Sequence, residues 1–408
     1  MRFTFIHAAD LHIDSPLAGL SLKDKAVAER FARAGRRAVE SLVAETIASK
    51  AAFLIVAGDV FDGDWKDVTT GLFFVRAMGA LHREGIPTFV VKGNHDAESV
   101  MSRDLPYPET VRIFPSHAAA TYALDDYRVA LNGRSFPHRL TGDFVGTYPA
   151  RREGWLNIGV LHTSLDGSRG HEGYAPCTVD DLGRFGYDYW ALGHVHAAEI
   201  VSRDPWIVYP GNLQGRSVRE TGAKGAMRVT VEDGRIIDVA PLPLDAARWA
   251  HLEIDVSDAA DEAGILDRID ARMSAAHADG EGRPLAVRVT LTGATPLHNH
   301  LVAQRERLQD DLRAAGFRMA DDCWVEQLKI RTMPPERPSV ALSEPDSADV
   351  ERLLAEAAAD PAFAAALAEL IESIKTKLPK DLHAELESSE WLARLADDAR
   401  ALLAGELS

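Results

Sequence analysis

The stretch that decides the fold of this chain is Phe5-Ile-His-Ala-Ala-Asp-Leu-His12. It begins as an apolar run, which is typical of a buried strand, and it ends in an Asp-x-His pair. A carboxylate and an imidazole two residues apart, just past the end of a strand, can turn towards one point. The stretch therefore predicts a pair of metal ligands at the edge of a sheet.

Four further segments repeat this arrangement of an apolar run followed by polar side chains. Because the carboxyl ends of parallel strands meet at one edge of a sheet, we expect the five segments to converge. Two divalent cations about 3.5–4 Å apart need a shared anionic ligand and several oxygen and imidazole ligands. The segments that supply them are Gly58-Asp59-Val-Phe-Asp62, Gly93-Asn94-His95-Asp96, Val160-Leu-His162-Thr163 and Gly193-His194-Val-His196.

The mixture of donor atoms indicates which metal the site prefers. Imidazole suits transition metals, while carboxylate and amide oxygens suit harder ions such as manganese. The set therefore favours Mn²⁺ over a structural zinc, with Fe²⁺ or Mg²⁺ as alternatives. Glycines stand directly before Asp59, Asn94 and His194, and we expect them to let the backbone turn sharply beside the ions.

Other polar residues near these strand ends have simpler interpretations. His7 lies on the strand itself, where a hydrogen-bonded core histidine is the more common case. Asp62 and Asp96 are interpreted as turn carboxylates, and Asp62 as a residue that could orient a neighbouring histidine. Arg216 follows a glycine and could contact a phosphate group, although a solvated loop residue is an equally good interpretation.

Composition limits the setting in which the protein works. The chain has 408 residues, 46% hydrophobic and 26% charged, which predicts two to three soluble domains. Its two cysteines, Cys177 and Cys323, are too few for a disulfide framework and are consistent with a reducing cytoplasm. No apolar run approaches the roughly 18 residues needed to span a bilayer, so we expect no membrane insertion.

The net charge of −17 argues against nonspecific coating of nucleic acid. The tail from Glu336 onward carries sixteen acidic and seven basic residues, so it accounts for about half of the excess. Bound cations would also reverse the local sign at the metal ligands. A phosphate substrate bridged by metal ions therefore remains compatible with the charge.

The first 245 residues alternate apolar strands with helical stretches, which predicts an α/β domain. Helices are expected at about 25–50 and 68–84. The predicted strands lie at 3–9, 53–57, 88–92, 128–132, 157–161, 189–192, 206–209 and 226–231.

Two more regions follow. Residues 246–335 predict a small βαβαβ domain, whose second helix is expected at 297–315. Residues 336–408 predict a proline-containing linker and a helical tail. The tail could pack on its own protein or dock onto another subunit, and the pattern favours neither.

Three stretches carry a likeness to a known family: Leu161-His-Thr-Ser-Leu-Asp-Gly167, Tyr187-Asp-Tyr-Trp-Ala-Leu-Gly-His-Val-His196 and Tyr209-Pro-Gly-Asn-Leu-Gln-Gly-Arg216. With the five ligand segments, they resemble the calcineurin-like metallophosphoesterase superfamily, and within it the SbcD-type DNA repair exonucleases and their YhaO-like branch. The resemblance implies a two-sheet sandwich flanked by helices, a small α+β capping domain and a helical C-terminal tail.

Carried over to this chain, the resemblance implies a role for each ligand candidate. Asp59 bridges the two metals, and His95 binds neither but stabilises or protonates the leaving oxygen. The remaining ligands divide into Asp10, His12 and His196 for one metal and Asn94, His162 and His194 for the other.

The resemblance also implies a function and partners. The expected activity is hydrolysis of DNA phosphodiester bonds with two divalent cations, as an exonuclease in DNA repair beside an SMC-like coiled-coil ATPase. A homodimer is a further expectation from the family. Fold does not fix substrate, so a phosphodiesterase or phosphatase acting on nucleotides or other small phosphoesters stays as the alternative.

Overall fold

The computed structural model describes most of the first 335 residues and a few positions beyond them. The described residues are 1–15, 31, 33–62, 68–98, 105–137, 144–165, 177–320 and 322–335, and eight single positions between 352 and 372. The predicted helical tail therefore lies almost entirely outside the described residues.

The first of two six-stranded sheets mixes parallel and antiparallel pairs. In spatial order its strands are β12 (Arg235–Pro243), β11 (Gly225–Glu232), β1 (Arg2–Ala8), β2 (Leu54–Ala57), β3 (Thr88–Val91) and β4 (Val111–Ile113). β1 to β4 run parallel, whereas β11 and β12 add antiparallel strands on the other side of β1. The carboxyl ends of β1, β2 and β3 consequently share one edge.

The second sheet has a parallel centre between antiparallel edge strands. Its spatial order is β5 (Ala120–Leu124), β6 (Val129–Gly133), β7 (Leu156–His162), β8 (Tyr189–Gly193), β10 (Trp206–Tyr209) and β9 (Glu199–Arg203). β6, β7, β8 and β10 are parallel, and β5 and β9 are antiparallel. The carboxyl ends of β7 and β8 again share an edge.

The two sheets pack face to face around an aromatic core. The ring of Phe5 stacks on Phe53 with centroids 4.7 Å apart and meets Tyr189 of the second sheet edge-on at 5.5 Å. Ile6 enters a different core, beneath the helices that cover the outer face of the first sheet. Alternate side chains of β1 are thus buried on both sides, which explains why this strand is apolar throughout.

Helices cover the outer faces of the sandwich. α1 (Ala34–Ala48) and α2 (Val68–Arg83) bury apolar stripes that contact the first sheet. The short helices α3 (Asn94–Glu98) and α4 (Val179–Arg184) lie between strands. The predicted two-sheet sandwich flanked by helices is confirmed.

A third sheet lies in the region that the sequence predicts as a capping domain, here called the capping region. Its three strands are β13 (Arg248–Asp255), β14 (Leu285–Ala294) and β15 (Cys323–Met333), in that spatial order. The connecting helices are α5 (Glu262–Asp279), α6 (His298–Ala303) and α7 (Arg305–Met319). α5 buries Ile265, Ile269 and Met273 at a spacing of four residues, so one stripe of the helix is apolar.

One helix prediction differs from the structure, and another falls partly outside the described residues. The helix expected at 297–315 is two helices, because Gln304 leaves the α conformation with φ −96° and ψ 10°. Of the helix expected at 25–50, the described portion is α1, with Phe31 helical before it. Residues 16–30 lie outside the described part of the chain.

The capping sheet and the sandwich belong largely to one compact unit, which comprises Met1–Gly293 and Asn299–Thr332. A second unit comprises Ala294–His298 and Met333–Ser408. The domain limits at 245 and 335 stay predictions. None of the described helices combines the length and the apolar character that crossing a bilayer requires.

Candidate metal centre

The five predicted segments meet where the two sheets place the carboxyl ends of β1, β2, β3, β7 and β8. Backbone hydrogen bonds join neighbouring segments, from Asp10 N to the Gly58 carbonyl and from His12 N to the Asp59 carbonyl, both at 3.0 Å. Four candidate ligands have positive φ angles, which non-glycine residues rarely adopt. The angles are 51° at Asp10, 41° at His12, 53° at Asp59 and 97° at His194. These four candidate ligands thus hold backbone conformations of the kind that is common at functional sites.

Asp10, His12 and His196 form the first ligand group, whose ligand atoms all lie within 4.8 Å of one another. His12 Nδ1 is 2.6 Å from Asp62 Oδ1, and His196 Nδ1 is 2.8 Å from Glu220 Oε1. An ionised carboxylate only accepts hydrogen bonds, so each Nδ1 carries the proton and donates it.

The consequence is that the two Nε2 atoms, 3.3 Å apart, turn lone pairs towards each other when the rings are neutral. Burial lowers the pKa of His12, and this outweighs the opposing hydrogen bond to Asp62, so the neutral ring is favoured. Two facing lone pairs repel each other unless a cation lies between them. The group is therefore suited to bind a metal ion.

Asp59, His162 and His194 form the second ligand group, again with ligand atoms within 4.8 Å of one another. His162 Nδ1 donates to the Ala57 carbonyl at 2.9 Å. Its Nε2 atom therefore faces Asn94 Oδ1 at 3.1 Å and Asp59 Oδ2 at 3.3 Å. An imidazole, an amide oxygen and a carboxylate oxygen converge here, which is a donor set that a divalent transition metal accepts.

The pKa of His162 also indicates that the second ligand group favours a positive charge. Burial alone lowers the pKa of an imidazole, but the carboxylates of Asp59 and Asp10 outweigh it and raise the pKa of His162 to about 9. The acidic side chains thus require a compensating positive charge at this point. A proton or a bound cation can supply it.

Asp59 is a member of the second group and also faces the first. Its Oδ2 atom lies 3.3 Å from His162 Nε2 and 3.8 Å from His12 Nε2, so one oxygen faces a ligand of each group. Burial would raise the pKa of Asp59, but the surrounding histidines outweigh burial and lower it. The ionised carboxylate is therefore available to both metal positions, as the bridging role requires.

His95 lies beside the two groups and belongs to neither. Its backbone N–H donates to Asp59 Oδ1 at 3.1 Å, and its ring centroid is 5.4 Å from that of His12. His95 is partly exposed, as His196 is, whereas the other candidate ligands are buried. His95 is thus placed to meet a substrate at the rim of the site.

Asp96 is a structural carboxylate. It accepts hydrogen bonds from the backbone N–H groups of Val60, Phe61 and Gly93 at 2.9–3.1 Å. Burial, and then the charge of Asp59, raise its pKa to about 6. Asp96 thereby ties the segment after β2 to the segment after β3 and acts as the turn carboxylate that the sequence predicts.

The three glycines beside the ligands serve two different purposes. Gly58, with φ +96°, adopts the conformation that the sequence predicts for a sharp turn. Gly93 and Gly193 do not have positive φ. A Cβ at Gly93 would clash with Asp59 Oδ1, and one at Gly193 with the Ala57 carbonyl. At these two positions the turn explanation is wrong, and close approach between segments is the reason.

His7 is a core histidine, as the sequence predicts. Its Nδ1 atom is 3.0 Å from the Tyr189 hydroxyl, and its Nε2 atom is 3.1 Å from the Leu192 carbonyl. Because a carbonyl only accepts, Nε2 carries the proton. Burial lowers the pKa of His7 to about 3, so the ring stays neutral in the folded protein.

The sequence prediction missed Glu220, which bonds to His196, and left Arg216 undecided between a phosphate contact and a loop. Arg216 lies among Asp62, His196 and Glu220, within 3.3–3.6 Å of atoms in each. Burial would raise the pKa of Glu220, but the bond to His196 and the charge of Arg216 outweigh it and lower that pKa to about 2. Glu220 follows no strand, so its only signal in the sequence is its position four residues after Arg216.

The loop that carries these two residues is anchored on the capping region. The Gln214 side chain accepts from the Ala246 N–H at 2.8 Å and donates to the Ala247 carbonyl at 2.7 Å. Trp249 Nε1 donates to the Gly215 carbonyl at 2.9 Å. The surroundings of the first ligand group therefore extend into the capping sheet.

Comparisons with known proteins identify the family to which the chain belongs. Residues 3–198 match the calcineurin-like phosphoesterase family, and residues 249–333 match the middle domain of metallophosphoesterase YhaO. The fold and the paired ligand groups thus define a metal-dependent phosphoesterase. The chain is 33% identical over 298 residues to the uncharacterized metallophosphoesterase YhaO of Bacillus subtilis (strain 168), covering 72% of each chain.

The chain belongs to the calcineurin-like metallophosphoesterase superfamily and, within it, to the YhaO family. Two solved structures show weaker likeness. TT1561 of Thermus thermophilus is 11% identical with a TM-score of 0.34, covering 59% of this chain and 99% of that one. A dimetal phosphatase from Danio rerio is 12% identical with a TM-score of 0.34. The match covers 56% of this chain and 92% of that one. The assignment rests on the sequence matches.

Proposed function

We propose that this metallophosphoesterase is a Mn²⁺-dependent DNA exonuclease that acts in DNA repair with an SMC-like coiled-coil ATPase. The observation that carries the proposal is the position of Asp59 between two ligand groups, with His95 beside them. Such a paired site serves in-line displacement at phosphorus. The resemblance of the ligand segments to SbcD-type nucleases supports DNA as the substrate.

The residues of this chain have distinct tasks in the proposed reaction. Asp10, His12 and His196 would hold one divalent cation, and Asn94, His162 and His194 the other, with Asp59 between them. When bound, the cations stabilise the charge that develops on the phosphoryl oxygens and lower the pKa of a water molecule. His95 donates a proton to the departing 3′ or 5′ oxygen, because its ring lies at the rim, outside both ligand groups.

The remaining regions would recruit substrate and partner. The capping sheet is anchored on the loop next to the first ligand group and would guide DNA towards it. Residues 336–408 would dock onto the ATPase, and two copies of the chain would pair as a homodimer. All of this would take place in the cytoplasm.

A second candidate function is hydrolysis of nucleotides or other small phosphoesters at the same site. The net charge of −17 favours it, because a long polyanion is repelled by an acidic protein surface more strongly than a small ester is. The two candidates differ only in substrate. They share the metal centre and the role of His95.

Digestion assays separate the two candidates. The full chain is incubated with MnCl₂ and linear duplex DNA, single-stranded DNA, closed circular DNA or bis(p-nitrophenyl) phosphate, and MgCl₂ or FeCl₂ replaces MnCl₂ in parallel. An exonuclease releases nucleotides from linear DNA and leaves the closed circle intact. Hydrolysis of the small diester with every DNA intact overturns the nuclease proposal. The His95→Ala protein controls for contaminating nuclease.

The partner proposal is tested separately. The full chain and a chain ending at residue 335 are each used to capture a purified SMC-like ATPase. We expect capture by the full chain alone, with equal Mn²⁺ binding by both chains as the control. Equal capture by the two chains would remove the docking role of the tail.

A further inference from the structure

Glu220 accepts hydrogen bonds at both of its carboxylate oxygens. Its Oε1 atom accepts from His196 Nδ1 at 2.8 Å. Its Oε2 atom accepts from Asn212 Nδ2 at 2.9 Å and from the Arg216 N–H at 2.7 Å. Both carboxylate oxygens are therefore held in place, and one of them points at a metal-ligand histidine.

Asp62 repeats this arrangement at His12, with Nδ1 to Oδ1 at 2.6 Å. The Arg216 guanidinium lies between the two carboxylates, with NH1 3.6 Å from Asp62 Oδ1 and NH2 3.4 Å from Glu220 Oε1. One cationic side chain thus compensates both acidic groups. Both carboxylate–imidazole pairs are linked through this guanidinium.

Chemically, such a carboxylate does two things for a metal-binding imidazole. It fixes the proton on Nδ1, so that Nε2 presents its lone pair to the metal, and it makes the ring a stronger donor. It also stops the ring from rotating about its χ2 angle. Partners of this kind typically contribute about 10- to 100-fold in metal affinity.

We infer that Glu220 is a positioning residue for His196 and, together with Asp62 and their shared counter-ion Arg216, sets the affinity of the first ligand group for its cation. The inference needs the metal centre of a metallophosphoesterase but does not depend on DNA as the substrate. Metal binding can therefore test it without any substrate.

The first experiment is calorimetric titration of the full chain, stripped of metal by chelation, with MnCl₂. The variant is Glu220→Gln, which keeps the shape of the side chain. An amide has only one oxygen that can accept, and its NH₂ group cannot accept from an N–H donor. Glu220→Gln therefore loses either the hydrogen bond from His196 or those from Asn212 and Arg216. We expect one of the two Mn²⁺ sites to weaken about 10- to 100-fold while the other is unchanged.

The chain offers a matched control in Glu262. This carboxylate also bonds a histidine and an arginine, with His300 Nε2 at 2.5 Å and Arg307 NH2 at 2.6 Å. It lies in the capping region and contacts no candidate ligand among the described residues. Glu262→Gln should therefore leave both Mn²⁺ affinities at the wild-type values.

A second measurement tests whether Glu220 positions His196 or only stabilises the loop that carries it. CoCl₂ is bound in place of manganese, and the visible absorption bands report the ligand geometry. We expect Glu220→Gln to shift the bands of one Co²⁺ ion, and Glu220→Asp to restore them in part. Thermal unfolding in the presence of EDTA shows whether the variants fold as the wild type does.

Unchanged Mn²⁺ affinities and an unchanged Co²⁺ spectrum in Glu220→Gln would overturn the inference. So would equal weakening of both sites together with a lowered melting temperature in EDTA, because that is the result of a loop that has lost its structure. Absence of DNA hydrolysis by the wild type would overturn the proposed function only.

Discussion

The two ligand groups differ in what holds their histidines. In the first group, His12 and His196 donate Nδ1–H to the side-chain carboxylates of Asp62 and Glu220. In the second group, His162 donates to the backbone carbonyl of Ala57. A backbone carbonyl is still present when the side chain of its residue is substituted, whereas a side-chain carboxylate is removed. Both histidines of the first metal position can therefore be tuned by single substitutions at their partners, whereas His162 of the second is held by the backbone.

The largest effect is expected at Asp59, which faces ligands of both groups. Asp59→Asn removes the negative charge that faces both His12 and His162. We expect both Mn²⁺ sites to weaken and kcat to fall by at least about 10³-fold, since loss of one transition-state contact alone costs about 10²- to 10³-fold. Calorimetry and hydrolysis of bis(p-nitrophenyl) phosphate measure this. Loss of a single site would mean that Asp59 belongs to one group only.

The second-largest effect tests whether His95 acts in the chemical step rather than in metal binding. His95→Ala removes the partly exposed imidazole that belongs to neither ligand group. We expect kcat to fall about 10²- to 10⁴-fold, as loss of a general acid does, with both Mn²⁺ affinities unchanged. The loss should be smaller for a substrate with a good leaving group such as p-nitrophenolate. Weakened Mn²⁺ binding would instead place His95 among the ligands.

A more moderate effect addresses the difference between the groups directly. Asp62→Asn leaves His12 without its carboxylate acceptor, and we expect one Mn²⁺ site to weaken about 10- to 100-fold. The second group should keep its affinity, because Ala57 still accepts from His162 through its backbone carbonyl. Titration with MnCl₂ measures both sites. Equal weakening of both would show that the two groups are not supported independently.

The smallest effect concerns a histidine outside both groups. Burial lowers the pKa of His7 to about 3, whereas nearby carboxylates raise that of His162 to about 9. Below pH 6.5 His7 is protonated in the unfolded chain but stays neutral in the folded chain. The free energy of unfolding therefore falls by about 1.4 kcal/mol for each unit by which the pH is lowered from 6.5 to 3.

His7→Gln removes this titration. Urea unfolding at pH 7.5 and 5.5 should show a loss of stability in the wild type that exceeds the loss in the variant by about 1.4 kcal/mol. The variant will be less stable at pH 7.5, so the difference between the two pH values is the relevant quantity. Parallel losses would mean that His7 has the same pKa in the folded and in the unfolded protein.

The sequence by itself determined the strands that lead into the site and the polar residues that end them. Parallel strands leave their carboxyl ends at one edge, so an apolar run followed by Asp59, Asn94 or His194 predicts a shared site without any coordinates. The same local reasoning identified His7 as a core residue and Asp62 as a partner for a histidine.

Only the tertiary structure decided which groups support those ligands. Glu220 reaches His196 from a loop that follows no strand, and Arg216 meets Asp62 from more than 150 positions away in the chain. Gly93 and Gly193 are required by side chains and carbonyls of other segments, which no local pattern encodes. Strand periodicity is a property of neighbouring residues, whereas hydrogen-bond partners across a site depend on how distant segments pack.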